Sequence, residues 1–243
     1  MPSYEEKIKE LEESIKRTPY NKATQHAIGM YKAQLAKLRD AQSKRGSGTK
    51  KGEGYDVRKS GDATVILVGF PSVGKSTLLN ALTNTESKVA QYAFTTLDVI
   101  PGLLEYEHAK IQLLDVPGVV HGAASGRGRG KEVLSVMRTA DLAVIVLDVN
   151  HPGHLKVLQK EIHDSGLRLD QEKPDVKITR KSKGGYDIAS TVKLTKTDFD
   201  TIKAVLKEFR IHNADVVIRE DITIDQFIDV IEGNKIYIPS IKA

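Results

Sequence analysis

Apolar residues recur along this chain with two different spacings. Over residues 3–17, Ile8, Leu11 and Ile15 fall on one helix face. Ser3 and Glu6 offer a capping box at its start, and Thr18-Pro19 ends it. Asn21 is placed to cap a second helix to about Ser43, with a stripe of Ile28, Tyr31, Leu35 and Leu38. Two such helices across a short break predict an antiparallel hairpin, its stripes serving as core rather than as an RNA- or protein-binding arm. Beyond residue 60 the rhythm changes. Thr64–Val68 and Leu142–Val149 are continuous apolar runs, the pattern of strands buried on both faces. Val99–Tyr106 and Ala109–Leu114 read as a strand pair turning near Glu107-His108. Helical patterns occupy Ser76–Leu82, with Leu78, Leu79 and Leu82 inward, then about Lys131–Thr139 and His154–Ser165. Alternating strands and helices predict an α/β domain with a doubly wound parallel sheet.

The pattern shifts again after Gly166. Val176–Thr179 and Tyr186–Thr191 read as a strand pair around the turn Lys183-Gly184-Gly185. Thr195 is expected to cap a helix through Arg210, with Ile202, Val205, Leu206 and Phe209 inward. Ala214–Ile218 is a strand, and Thr223 caps a helix through Glu232 with Phe227, Ile228 and Ile231 inward. Ile236–Ile241 then resumes the first sheet. The expected organisation is a helical hairpin with a basic linker over 1–60, a sheet domain over 61–165 and 236–243, and an inserted α+β domain over 166–235.

Composition narrows the chemistry. The 243 residues include no Cys, which excludes disulfides, thiol catalysis and Cys-ligated zinc. No apolar run approaches the ~18 residues of a membrane-spanning helix, and the charged start lacks a signal-peptide core. A cytoplasmic protein without a membrane partner is expected. Net charge is +5, which permits a polyanionic partner without demanding one. Residues 44–60 interleave Gly46, Gly48, Gly52 and Gly54 with Lys44, Arg45, Lys50, Lys51, Arg58 and Lys59. That is a solvated tether that could touch phosphates. Lys177, Arg180, Lys181 and Lys183 make a second basic cluster with the same two readings.

One stretch carries specific chemistry. Gly69-Phe70-Pro71-Ser72-Val73-Gly74-Lys75-Ser76, followed by Thr77, fits G-x-x-x-x-G-K-[ST] between a strand and a helix. Glycines let backbone N–H groups turn toward phosphate oxygens, and the helix N-terminus adds its positive dipole end. Lys75 would reach the β- and γ-phosphates, and Ser76 would ligate Mg²⁺. In the loop that follows, Thr95 and Thr96 are placed to meet a nucleotide, Thr96 as a further Mg²⁺ ligand. Asp115-Val116-Pro117-Gly118 is a D-x-x-G at a strand end. Its carboxylate would hold Mg²⁺ through water, and the Gly118 N–H would approach the γ-phosphate. Lys75, Thr96 and Gly118 are thus the candidate catalytic groups.

These motifs together resemble the TRAFAC GTPases. Closer wording narrows the resemblance: Gly69–Ser76, Phe94-Thr95-Thr96-Leu97, Gly126–Lys131 and Arg210–Asp221 look like the developmentally regulated GTP-binding proteins of the Obg family. The likeness spans essentially the whole chain. It implies GTP and GDP as ligands, an inserted domain like the second domain of ribosomal protein S5, and work near ribosomes or RNA, often with a dedicated regulatory protein. It also implies Mg²⁺, and K⁺ in those relatives that carry Asn where this chain has Ser72. Many relatives carry Glu where this chain has His121. They continue into N-K-x-D, a base-binding serine loop and a TGS domain. None of these occurs here, so the resemblance leads us to expect an N-terminal portion of a longer protein.

Ras-type enzymes orient water with a Gln directly after D-x-x-G, where this chain has Val119. The expectation is slow intrinsic GTP hydrolysis as a translation-associated switch. A nucleotide-gated RNA-binding module with negligible turnover is an alternative. So is an ATPase, because a P-loop alone does not choose the base.

Overall fold

The computed structural model describes residues 3–45, 61–83, 90–91, 98–115, 136–137 and 139–243. The chain divides into two compact units, Met1–Arg45 with Lys173–Lys235, and Gly46–Glu172 with Ile236–Ala243.

The second of these carries the sheet. Its elements in chain order are β1 (Ala63–Val68), α3 (Lys75–Thr83), β2 (Ala90–Gln91), β3 (Asp98–Tyr106), β4 (Ala109–Asp115), β5 (Leu142–Ile145), α4 (His154–Asp164), β6 (Leu167–Leu169), β10 (Ile236–Ile238) and β11 (Ser240–Lys242). The main sheet runs β11-β5-β1-β4-β3-β2. β1 lies parallel to β4 and β5, and β11 lies parallel to β5. β3 and β2 extend it in antiparallel fashion. This is the expected α/β sheet, and the unbroken apolar runs explain it. Ile66 and Val68 point into a core with Leu114, Ile145, Leu158 and Ile162, while Val65 and Leu67 meet Leu79 and Leu113 on the opposite face. Both faces of β1 are therefore buried, so no polar face interrupts its sequence.

Three local expectations change here. Leu82, expected inward, is exposed, because the buried face of α3 is the i, i+4, i+8 row of Lys75, Leu79 and Thr83, which excludes it. The strand expected to 149 is β5 to Ile145, after which the Asp148 turn leads toward α4. The strand expected over 236–241 is broken at Pro239: β10 pairs with β6, and β11 pairs with β5. Asp170, in a left-handed conformation (φ 54°), holds this step. Its carboxylate accepts from the Ser240 backbone N–H and hydroxyl, each at 2.6 Å. The helix expected over 131–139 lies largely outside the described residues, although Val136 and Met137 are fully buried.

The other unit comprises α1 (Tyr4–Arg17), α2 (Gln25–Arg45), β7 (Val176–Arg180), β8 (Tyr186–Ser190), α5 (Phe199–Glu208), β9 (Ala214–Ile218) and α6 (Ile224–Glu232). The Ser3/Glu6 capping box forms as expected, and Asn21 caps the entry to α2 by accepting from the Ala23 and Thr24 N–H groups. α2 packs on α1 and also on α5 and α6. Ala33 shares a core with Ile202, Val205, Leu206, Val216 and Phe227. Gly29 lets α2 approach α5 closely, since a Cβ there would stand 2.7 Å from the Thr201 methyl. Lys37 donates to Glu208 and Lys32 pairs with Asp225 across the same seam.

β7 and β8 do not pair with each other. β9 lies between them, antiparallel to β7 and parallel to β8. The Gly184-Gly185 turn resembles a hairpin loop, but Asn213 occupies its mouth, accepting from Gly185 N–H and Lys181 N–H. The cap of α5 is Asp198 and not Thr195, which instead donates its N–H and hydroxyl to Asp221.

Candidate nucleotide site

β1 delivers the loop 69–74 at the carboxyl end of the sheet, between β4 and β5. The parallel register pairs Leu67 with Asp115 and Val68 with Ile145. Gly69 is buried where any side chain would strike β5's extension, its Cβ falling 2.5 Å from the Val146 carbonyl oxygen. Pro71 and Ser72 are exposed, and Val73 is half-buried. The loop turns through two left-handed residues, Ser72 (φ 63°) and Gly74 (φ 97°). Gly adopts this conformation without penalty, whereas at Ser72 it costs about 1–2 kcal/mol and must be held by its surroundings. The Gly74 carbonyl accepts from Leu78 N–H, so the helix begins directly after the loop. The N–H groups of Lys75, Ser76 and Thr77 belong to the first turn, which lacks intrahelical acceptors.

Lys75 is buried, 9% exposed, and its ammonium donates to the Phe70 carbonyl at 3.0 Å. Ser76 donates its hydroxyl to Asp115 Oδ2 at 2.7 Å. Asp115 is 3% exposed, and among the described residues its Oδ1 has no hydrogen-bond partner. A buried carboxylate oxygen without a donor beside a hydroxyl is a hard oxygen set, and it fits Mg²⁺. Thr77 is exposed on the first turn of α3. Thr95, Thr96 and Gly118 lie outside the described residues, as do Val119 and His121. The structure thus brings together Gly69 to Thr77 and Asp115.

Two features behind the loop were not read from the sequence. The Phe70 ring packs against His154 at 4.4 Å between centroids, and His154 stacks on His151 at 4.9 Å and 10°. The second is the turn that aims this stack. Asp148 accepts from the Asn150 N–H and faces His151 Nδ1 at 2.9 Å. The Asn150 N–H and the His151 ring hold the Asp148 carboxyl below the usual carboxylate range. The spacing Asp148-Asn150-His151-His154 was visible, but nothing in it signals that the ring reaches Phe70.

A family profile described as 50S ribosome-binding GTPase matches residues 64–181, and one for the C-terminal region of the MMR_HSR1 domain matches 183–243. The chain is 62% identical over 237 residues to an uncharacterized GTP-binding protein of Methanocaldococcus jannaschii, covering 98% of this chain and 60% of that one. It is 52% identical over 247 residues to developmentally-regulated G-protein 3 of Arabidopsis thaliana, covering 100% and 67% respectively. The G domain of the T. maritima FeoB iron transporter is 31% identical, with a TM-score of 0.35 over 42% of this chain and 65% of that one. The chain spans 60% and 67% of the length of these two curated relatives.

Proposed function

The chain belongs to the developmentally regulated GTP-binding proteins, and from that premise we propose that it binds GTP and GDP at the 69–77 loop and hydrolyses GTP to GDP and phosphate. The observation that carries this reading is the pairing of Ser76 with Asp115 at 2.7 Å, with Asp115 Oδ1 left without a partner among the described residues. Ser76 and Asp115 would hold Mg²⁺, Asp115 through water, with Thr96 as a third oxygen. Bound there, Mg²⁺ would neutralise the β- and γ-phosphate charge. Lys75 would exchange the Phe70 carbonyl for phosphate oxygens, a stronger, charge-assisted contact. First-turn N–H groups of α3 would close around the phosphates, and the Gly118 N–H would reach the γ-phosphate. K⁺ beside Ser72 is a further cofactor this reading allows.

The matching profile's description and the +5 charge support a ribosome or RNA as partner. The relatives are named as developmentally regulated GTP-binding proteins, and with that family we propose a role as a translation-associated switch, a dedicated regulatory protein as further partner and the cytoplasm as its place of action. Among the described residues no helix is long and apolar enough to cross a membrane.

Phosphate release under single-turnover conditions tests the hydrolysis. With protein in excess over GTP, slow release that requires Mg²⁺ and is lost in Lys75→Ala is expected. Binding of GTP with no release would leave a nucleotide-gated binding module in place of a GTPase. Equal turnover of ATP would remove the guanine assignment.

A further inference from the structure

We propose that His154 is a positioning residue for the phosphate-binding loop, acting through the ring of Phe70. This inference rests on the nucleotide-site reading above. Phe70 is the second residue of the loop, and its carbonyl is what Lys75 holds at 3.0 Å. The Phe70 backbone therefore fixes where the lysine waits before phosphate replaces the carbonyl, and the Phe70 side chain anchors the loop backbone that must receive the phosphates in either state. That side chain packs partly buried against the core of Ile66, Val68, Leu158 and Ile162, with His154 against its ring at 4.4 Å and 38°. The two rings are in close contact, at the short end of aromatic pair separations.

His154 is itself held from behind. It opens α4, and its N–H donates to the His151 carbonyl at 3.0 Å. Its ring stacks on the His151 ring, and His151 Nδ1 faces Asp148 Oδ2 at 2.9 Å. Asp148 in turn closes its own turn, accepting from Asn150 N–H through its carboxylate and from His151 N–H through its carbonyl. Gly153, the residue before α4, makes no side-chain cap, so the helix start is organised by this turn instead. The series Asp148, His151, His154, Phe70, Lys75 runs from the end of β5 to the loop cation.

His154 is not simply a satisfied core polar group. Its Nδ1 is shut off from solvent and has no hydrogen-bond partner among the described residues. A hydrogen-bonding role therefore does not explain this nitrogen's placement, while the ring stacks on His151 and lies tilted against Phe70. A ring at 154, rather than an imidazole as such, is what the geometry uses.

The test is the dissociation rate of fluorescent mant-GDP, with thermal unfolding measured on the same preparations. The variants are His154→Phe, His154→Leu, Phe70→Leu and the Phe70/His154 double leucine variant. Leu keeps buried apolar volume without a ring, so it separates stacking from folding. His154→Leu is expected to speed release about fivefold, the scale of an aromatic pair. His154→Phe should stay near the parent rate, and the double variant should add little to either single one. Parent-like release from His154→Leu would overturn the proposal. So would release from His154→Phe as fast as from His154→Leu, or additive effects in the double variant. If the unsubstituted chain does not retain mant-GDP, the nucleotide-site reading itself fails, which is a separate result.

Discussion

Ser76 Oγ donates to Asp115 Oδ2 across 2.7 Å, joining the first turn of α3 to the last residue of β4. The two residues are 39 positions apart, and parallel pairing of β1 with β4 brings them together. Leu67 stands beside Asp115 in that ladder, so the loop that follows β1 must pass the carboxylate. Asp115 keeps one oxygen without a donor among the described residues, which is costly for a buried carboxylate unless a cation uses it.

Asp115→Asn should therefore weaken Mg²⁺ more than it weakens the fold. The neutral amide keeps the volume and a partner for Ser76 but removes the charge. Mg²⁺ affinity of the GDP complex should fall by about 10- to 100-fold, the cost seen when groups orienting a metal are removed. Mant-GDP titrations in Mg²⁺ and in EDTA measure it. An unchanged gap between the two conditions would detach Asp115 from the metal.

Gly29→Val should destabilise the unit built from residues 1–45 and 173–235. The added Cβ would stand 2.7 Å from the Thr201 methyl, with Val205 and Ile224 behind it. Overpacking of this kind costs about 1–3 kcal/mol. Hydrogen exchange should show lost protection in β7 and β9 with β1 and β4 unaffected. Loss confined to α1 and α2 would mean that the hairpin is not part of that core.

Asp170 should contribute stability that disappears in acid. The Ser240 hydroxyl and N–H hold its carboxyl below the usual range. In the unfolded chain the group titrates near its ordinary value of about 4. The unfolded state therefore binds more protons in the window below about pH 4, and stability rises with pH there. The contribution is complete above the unfolded value and is lost as pH falls through the folded one. Asp170→Asn should flatten the urea-midpoint profile in that window. A profile as steep as the parent's would place the acid sensitivity elsewhere.

The sequence disclosed the parts whose physics is local. The unbroken run Thr64–Val68 marked a strand buried on both faces, and the glycine loop after it marked the candidate phosphate site. Thr223 and Gln226 form the capping box that starts α6 where expected. What escaped reading depends on distant partners. β9 enters between β7 and β8, with Asn213 at the mouth of the Gly184-Gly185 turn, an arrangement no hairpin pattern reveals. Thr195 has the chemistry of a cap, but Asp221 takes its N–H and hydroxyl, leaving the cap to Asp198. The Phe70–His154 pair joins residues that only the finished sheet makes neighbours.

Lys75 and its loop are proposed to bind a guanine nucleotide's phosphates. Calorimetric titration of the folded chain with a non-hydrolysable GTP analogue and Mg²⁺, beside Lys75→Ala, tests it most directly. Saturable binding to the parent chain is expected, with a loss of at least about tenfold in affinity for the folded variant, the cost of a charge-assisted phosphate contact. Equal affinity in the two proteins, or no heat of binding to the folded parent chain, would contradict it.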